Sequence, residues 1–248
     1  TIQSIIREKF DILKTAKHGI IGNLGAANSL KNKCANEYLN TALIDKSKIY
    51  KYNKDYGTFI RRGEIFFFNR ALEININTLN ILPRYQRYNF AMALHAVFCI
   101  HGETINKIDT SAVITETELP FRFQKISDNP HIIIDASHNV EAIEQFIKTV
   151  GNKPASKTIA IYSGLKDKDY RKILKLLSNS FGKVFIFNLE GCRAADLSGL
   201  ADNSQIIWFS SVCEIIEYIY TFTKYEYYIV SSYLTARSFY KKLLTYKS

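Results

Sequence analysis

An aspartate and a histidine three residues apart, Asp135 and His138, follow directly after the apolar run of residues 131–134. A carboxylate accepts hydrogen bonds from hydroxyl or amine groups, and an imidazole exchanges protons near neutral pH. The apolar run predicts a buried strand, and Asn139 is a favourable N-cap for a helix that follows the turn. Both side chains therefore project from the carboxyl end of a strand, where open α/β sheets bind ligands. A capped strand-to-helix loop without a ligand is the alternative interpretation.

The elements around this pair alternate between strands and helices. Strands are predicted over 131–135, 158–163, 183–188, 205–209 and 227–231, and helices over 140–150, 169–180, 211–223 and 234–244. This alternation predicts a Rossmann-like, mostly parallel sheet with helices on both faces. No Gly-x-Gly-x-x-Gly loop accompanies it, which argues against a dinucleotide cofactor.

The first half of the chain is less regular. Helices are predicted over 1–13, 29–42 and 85–100, a strand over 18–22, and two to four strands within 48–80. Turns are expected near Gly57 and Gly63, and residues 101–118 are expected to link two domains.

A lysine lies within the apolar stripe of the first predicted helix. At 100° per residue, the residues of this stripe are Ile2, Ile5, Ile6 and Leu13, with Lys9 in the middle. A lysine there needs a partner or loses its charge, because burying an unpaired charge is costly. Either Lys9 has a chemical task or it extends its amine to solvent at the helix edge.

Composition narrows the class of protein. The 248 residues are 47% hydrophobic, enough to bury real cores, and no stretch approaches 18 consecutive apolar residues. The four cysteines form no Cys-x-x-Cys pair, which argues against a zinc site or a disulfide scaffold and fits the cytoplasm. The net charge of +10 is spread among acids, as in Lys166-Asp167-Lys168-Asp169, and is typical of solvated surfaces. We therefore predict no nucleic-acid and no membrane partner.

Several segments resemble motifs of one family, in family order. Residues 1–14 are similar to the Thr-Ile-x-x-Ala-x-Glu-Lys-Ala-Gly-Ile-x-Lys segment of folylpolyglutamate synthases. Residues 119–124 and 131–139 resemble the Pro-Gly-Arg-Phe-Glu and Asp-x-Ala-His-Asn-Pro segments of Mur-type ATP-dependent amino-acid ligases. Shorter resemblances cover 86–93 (an Asn-x-Ala-x-Ala helix), 163–169 (Gly-x-Leu-x-Asp-Lys-Asp) and 230–233 (Thr-Gly-Ser-Leu-Tyr).

This resemblance to folylpolyglutamate and dihydrofolate synthases of the Mur ligase superfamily implies two α/β domains. Residues 1–117 would be the C-terminal part of a P-loop ATPase-like central domain, and 118–248 a Rossmann-like C-terminal domain. The family's phosphate loop, Gly-Thr-Asn-Gly-Lys-Gly-Ser, does not occur in this sequence. We therefore expect the chain to be a fragment that is inactive alone.

The resemblance also implies an activity: ATP-dependent ligation of L-glutamate to a folate or to dihydropteroate, by a cytoplasmic monomer with Mg²⁺. The roles it implies are a carbamoylated lysine supporting the metal (Lys9), nucleotide contacts (Asn89, Arg122, Asp135), a glutamate or phosphate contact (His138) and a glutamate carboxylate contact (Ser232).

Three residues depart from the family pattern. Phe121 replaces the glycine before Arg122, Ser137 replaces alanine and Val140 replaces proline. Phe121 matters most, since a glycine there would allow a close backbone approach. A cell-wall Mur-type ligase and a noncatalytic basic α/β binding module remain alternatives.

Overall fold

The computed structural model describes residues 1–24, 29–42, 44–117, 119–151, 153–189, 191–201 and 204–247. The chain divides into two compact units, Thr1–Glu118 and Leu119–Ser248.

The first unit begins with a helix, and a strand–helix–strand arrangement follows it. Helix α1 (Ile2–Phe10) continues into a 3-10 turn and is followed by β1 (Gly19–Ile21), α2 (Leu30–Thr41) and β2 (Ile49–Lys51). Strands β1 and β2 pair in parallel. Side-chain oxygens of Thr1 and Ser29 cap the two helices by accepting backbone N–H bonds, which fixes where each helix starts.

An antiparallel sheet follows, with β3 (Tyr56–Arg61), β4 (Glu64–Asn69) and β5 (Glu73–Asn75) in that order. Arg62 and Gly63 connect β3 to β4, and both have positive φ (54° and 84°), as a tight two-residue hairpin requires. The turn predicted near Gly57 lies just before it, at residues 53–55, while Gly57 itself lies inside β3, where a Cβ atom would stand 2.9 Å from the Phe68 ring.

The unit is completed by α3 (Arg84–His101) and α4 (Thr110–Glu116). The predicted link over 101–118 therefore contains a helix, which Asp109 caps through bonds from two backbone amides. The core between α3 and the antiparallel sheet is apolar and partly aromatic. Its buried members include Tyr56, Ile65, Phe67, Ile76, Leu79, Ala91, Leu94 and Ile105.

The second unit is the predicted mostly parallel sheet. Its elements in chain order are β6 (Gln124–Asp128), β7 (His131–Asp135), α5 (Val140–Val150), β8 (Thr158–Tyr162), α6 (Tyr170–Ser180), β9 (Lys183–Ile186), β10 (Ile206–Trp208), α7 (Val212–Thr221), β11 (Glu226–Val230) and α8 (Tyr233–Lys247). The strand order is β10-β9-β8-β11-β7-β6, and only β6 is antiparallel to its neighbour. The fold class predicted from alternation is confirmed; β6 was not predicted.

Helices cover both faces of this sheet. Helices α5 and α6 pack on one face and α7 and α8 on the other, each against alternate side chains of the central strands. Neighbouring strands β7 and β11 therefore send the chain to opposite faces, β7 to α5 and β11 to α8. Such a switch point opens a crevice beyond the carboxyl ends of the strands.

Candidate functional site

Three strand ends meet at this crevice. Asp135 is the last residue of β7, and its backbone carbonyl accepts a hydrogen bond of 3.2 Å from the backbone N–H of Ser231, directly after β11. The Ser231 hydroxyl donates to the carbonyl of Ser163, directly after β8, over 2.9 Å. These bonds bring the ends of β7, β11 and β8 together.

The Asp135 carboxylate is turned into the protein and is only 1% exposed. One oxygen accepts bonds from the backbone N–H of Ser137 (2.9 Å) and from the Ser137 hydroxyl. The other accepts a bond of 2.8 Å from the backbone N–H of Phe123. Asp135 was predicted to accept hydrogen bonds from a nucleotide, and in the structure it accepts three hydrogen bonds from its own chain. The bond from Phe123 holds the segment before β6 against the end of β7.

Arg122 lies on that segment, and its side chain is exposed. Both neighbours are in the left-handed region, Phe121 at φ 59° and Phe123 at φ 55°. Glycine adopts such a conformation without steric cost, which accounts for a glycine at this place in the motif that residues 119–124 resemble. In this chain the position is Phe121, whose ring is buried and packs edge-on against Tyr233 and Tyr240, at centroid distances of 5.3 and 5.7 Å.

His138 is half-buried, and its Nδ1 lies 3.0 Å from the Ala136 carbonyl oxygen. A carbonyl only accepts, so Nδ1 carries the hydrogen, and in the neutral ring Nε2 is an acceptor. The following Asn139 accepts a bond of 2.9 Å from the backbone N–H of Ala142, so it caps α5 as predicted from its position.

Serines complete the edge. Ser232 is half-buried at the start of α8, and its hydroxyl lies 2.8 Å from the Thr235 hydroxyl. Ser163 was missed as a site candidate, although the predicted strand ended there. Its hydroxyl is buried and, among the described residues, has no hydrogen-bond partner. A serine that closes a buried strand beside an Asp–His pair was the available signal.

The predicted site residues fall into two groups. Arg122, Asp135, His138 and Ser232 lie around one edge of the second unit. Lys9 and Asn89 lie in the first unit on α1 and α3, and both are exposed.

The premise that Lys9 lies within a buried apolar stripe is wrong. Ile2 and Ile5 are 38% and 57% exposed, and within α1 only Ile6 is buried. Helical periodicity placed these side chains on one face, but in the structure only the Ile6 part of that face, within α1, is buried, where it packs against Cys34 and Ala35 of α2. Solvent reaches the Lys9 side chain directly, as the alternative of an amine extended to solvent at the helix edge predicts.

The acidic side chains of the loop after β8, residues 163–169, bind other groups of the same chain. Asp167 accepts bonds from the Arg193 guanidinium at 3.0 and 3.1 Å and pairs with Lys168 at 3.1 Å. These partners, Lys168 first, lower the pKa of Asp167 to about 2. Asp169 caps α6 by accepting from the backbone N–H of Lys172. The acidic residues of this motif thus fix the loop that borders the crevice.

Among the described residues, no group of three or more His, Cys, Asp and Glu side chains is placed to hold a metal ion. No helix in the described part of the chain is long and apolar enough to cross a membrane.

Part of this chain matches a known protein family, and most of it is similar in sequence to known proteins. Residues 121–230 match the family described as "Mur ligase, glutamate ligase domain". The dihydrofolate synthase/folylpolyglutamate synthase of Buchnera aphidicola subsp. Schizaphis graminum is 27% identical over 216 residues, which cover 85% of this chain and 49% of that protein. The chain spans about half the length of the curated relatives it matches over most of its length.

Solved structures share the fold. E. coli FolC in complex with DHPP and ADP superposes with a TM-score of 0.80 at 20% identity, over 99% of this chain and 57% of that one. The bifunctional folylpolyglutamate synthase/dihydrofolate synthase from Yersinia pestis, complexed with AMPPNP and Mn ion, gives a TM-score of 0.73 at 21% identity, over 98% and 57%.

Proposed function

We propose that the protein containing this chain joins L-glutamate to a folate at the expense of ATP, because residues 121–230 match the family described as "Mur ligase, glutamate ligase domain". In this reaction ATP phosphorylates a substrate carboxylate, the glutamate amine attacks the acyl phosphate, and phosphate leaves. Whether dihydropteroate, a reduced folate or both accept glutamate is part of the same proposal.

One observation carries the proposal. The matched residues 121–230 include Arg122, Asp135 and His138, which lie at the edge beside the ends of β7 and β11. Open α/β sheets bind ligands at such switch points, and relatives that match in sequence are a dihydrofolate synthase/folylpolyglutamate synthase and a folylpolyglutamate synthase.

Each side chain at the edge has a role that suits its chemistry. The exposed Arg122 supplies a fixed positive charge for nucleotide phosphate oxygens. Because the Ala136 carbonyl takes Nδ1 of His138 as a donor, Nε2 is the ring nitrogen that can accept, which suits the donor N–H of the incoming glutamate amine. The Ser232 hydroxyl, at the start of a helix whose dipole favours anions, suits a glutamate carboxylate.

Residues of the first unit have separate proposed roles. The exposed amide of Asn89 would contact ATP, and Lys9 would serve as a carbamate. The Yersinia structure carries Mn ion, and we propose a divalent metal, Mg²⁺, for this protein. The described residues contain no group of three or more His, Cys, Asp and Glu side chains placed to hold it. Cytoplasmic localisation and a monomeric state are likewise proposals.

The test is ADP release by the natural protein with L-glutamate, with dihydropteroate and tetrahydrofolate in separate reactions. Turnover with either supports the ligase, and the pattern assigns the acceptor. In parallel, His138→Ala should raise the KM for glutamate, while Lys148→Ala, an exposed residue of α5 far along the helix from the edge, should not. A folded protein with added Mg²⁺ that releases no ADP with either acceptor would overturn the proposal.

A further inference from the structure

The turn that carries Arg122 is held in a conformation that its own residues disfavour. Phe121 and Phe123, on either side of Arg122, have φ of 59° and 55°. Residues with a Cβ atom rarely adopt this region, and such strain persists only where the surroundings impose it.

Three hydrogen bonds impose it. The backbone N–H of Phe121 donates to Oε1 of Gln124 over 3.0 Å, and the backbone N–H of Phe123 donates to the Asp135 carboxylate over 2.8 Å. The Phe121 carbonyl accepts the third bond, of 2.7 Å, from the backbone N–H of Ala136. Two of the three bonds thus depend on side chains, and these lie on either side of Arg122.

We infer that Gln124 and Asp135 are positioning residues: they hold the two left-handed residues that aim Arg122 at its ligand. Neither side chain needs to touch the nucleotide for this role. Gln124 is half-buried and Asp135 is buried, as suits groups that act through the backbone. The inference rests on the proposed function, because it takes Arg122 to bind the nucleotide.

Gln124 gives the sharper test, since Asp135 also holds Ser137. Gln124→Met keeps the length of the side chain and removes the acceptor, while Gln124→Glu keeps an oxygen that accepts from the Phe121 N–H. We expect Gln124→Met to weaken ADP binding by the natural protein about fivefold, the effect of losing one hydrogen bond. Gln124→Glu should bind within twofold of wild type. Lys125→Ala, which removes the exposed neighbouring side chain and its ion pair with Asp128, should have no effect.

A double-mutant cycle shows whether Gln124 acts through Arg122. In an Arg122→Ala background, Gln124→Met should change ADP affinity by less than twofold, because no guanidinium remains to be aimed. A fivefold loss in both backgrounds, or none in the wild-type background, would overturn the inference.

Amide hydrogen exchange separates this inference from the proposed function. Gln124→Met should speed exchange at the Phe121 and Phe123 amides, whereas Lys125→Ala should not. If the wild-type protein bound no ADP, the proposed function and the role of Gln124 in aiming Arg122 would both be wrong. Faster exchange in Gln124→Met would still show that the Gln124 side chain holds the turn at residues 121–123. Unchanged exchange in Gln124→Met would show that it does not hold the turn.

Discussion

Phe121 has a left-handed backbone conformation, and its ring is buried among aromatic side chains. Its side chain therefore stabilises the folded protein, while its backbone conformation destabilises it. Replacing the ring with alanine or glycine removes the packing with Tyr233 and Tyr240 in both variants. Only glycine also relieves the strain at φ 59°. We expect Phe121→Gly to be more stable than Phe121→Ala by about 1 kcal/mol in urea unfolding.

The matched control is a buried phenylalanine inside a helix. At Phe146 in α5 the usual order should hold, with Phe146→Ala more stable than Phe146→Gly by about 1 kcal/mol. If alanine were also the better residue at position 121, the left-handed conformation would not be a source of strain in solution.

The position of Asp135 and His138 at this edge could be predicted from sequence, but the left-handed backbone of Phe121 and Phe123 could not. Asp135 and His138 stand out because a carboxylate and an imidazole follow an apolar strand. That the Asp135 carboxylate would face inward to the Phe123 amide depends on a contact between residues 12 positions apart. The inward turn moves Asp135 from direct ligand contact towards a positioning role.

His95 is a buried titratable group that should make stability depend on pH. The ring is 2% exposed, stacks on Tyr56 at 4.5 Å, and neither nitrogen has a partner among the described residues. Burial lowers the pKa of His95, the Arg70 and His18 charges act in the same direction, and Asp55 opposes them. The folded state therefore resists protonation that the unfolded state accepts below about pH 6.5.

The free energy of unfolding should consequently fall as the pH drops from 7.5 to 5.5, measured by urea unfolding at both values. His95→Phe has no nitrogen to protonate and fits an aromatic site, so it should reduce this difference. His101→Gln, which replaces the exposed histidine at the end of α3, should leave it unchanged. A pH difference in His95→Phe equal to that of wild type would show that other groups cause it.

At the scale of elements, the main helices were predicted well and the polar edge strand was not. The helices α5, α6 and α7 were predicted to within about two residues at each end, because each has a clear apolar stripe and a side-chain cap. The edge strand β6 was missed because Gln124–Asp128 is polar, with no fully buried residue, and pairs on one side only. Strands of this kind are defined by their partner and not by their own sequence.

The start of α5 gives a prediction at this scale. Asn139 accepts the backbone N–H of Ala142, one of the amides that the first helical turn leaves unpaired. Asn139→Ala should lower the free energy of unfolding by about 1 kcal/mol, whereas Asn139→Ser, which keeps a capping oxygen, should cost a few tenths. Chemical denaturation of the three proteins measures the difference. Equal losses in the alanine and serine variants would mean that Asn139 matters for something other than its cap.

At the scale of the molecule, the sequence predicted two α/β regions, and the chain divides into two units after residue 118. The assignment of residues 1–117 to an ATPase-like central domain and of residues 118–248 to a C-terminal domain stays a prediction. Four proposed site residues lie in the second unit and two in the first. Helical periodicity left open whether Lys9 is buried or extends to solvent, because burial depends on what packs against a face, and the structure shows it exposed.

The division into units predicts that residues 119–248 fold without the rest of the chain. Both large cores of the second unit, on the two faces of its sheet, are built only from residues between 121 and 243. Expressed alone, this segment should show circular dichroism of a mixed α/β protein and one cooperative unfolding transition. A shorter segment, 131–248, loses β6 and the buried Phe121 ring, and should unfold at lower urea concentration. If residues 119–248 instead bound hydrophobic dyes and unfolded without cooperativity, the stability of these cores would depend on the first 118 residues, and the second unit would not be an independent domain.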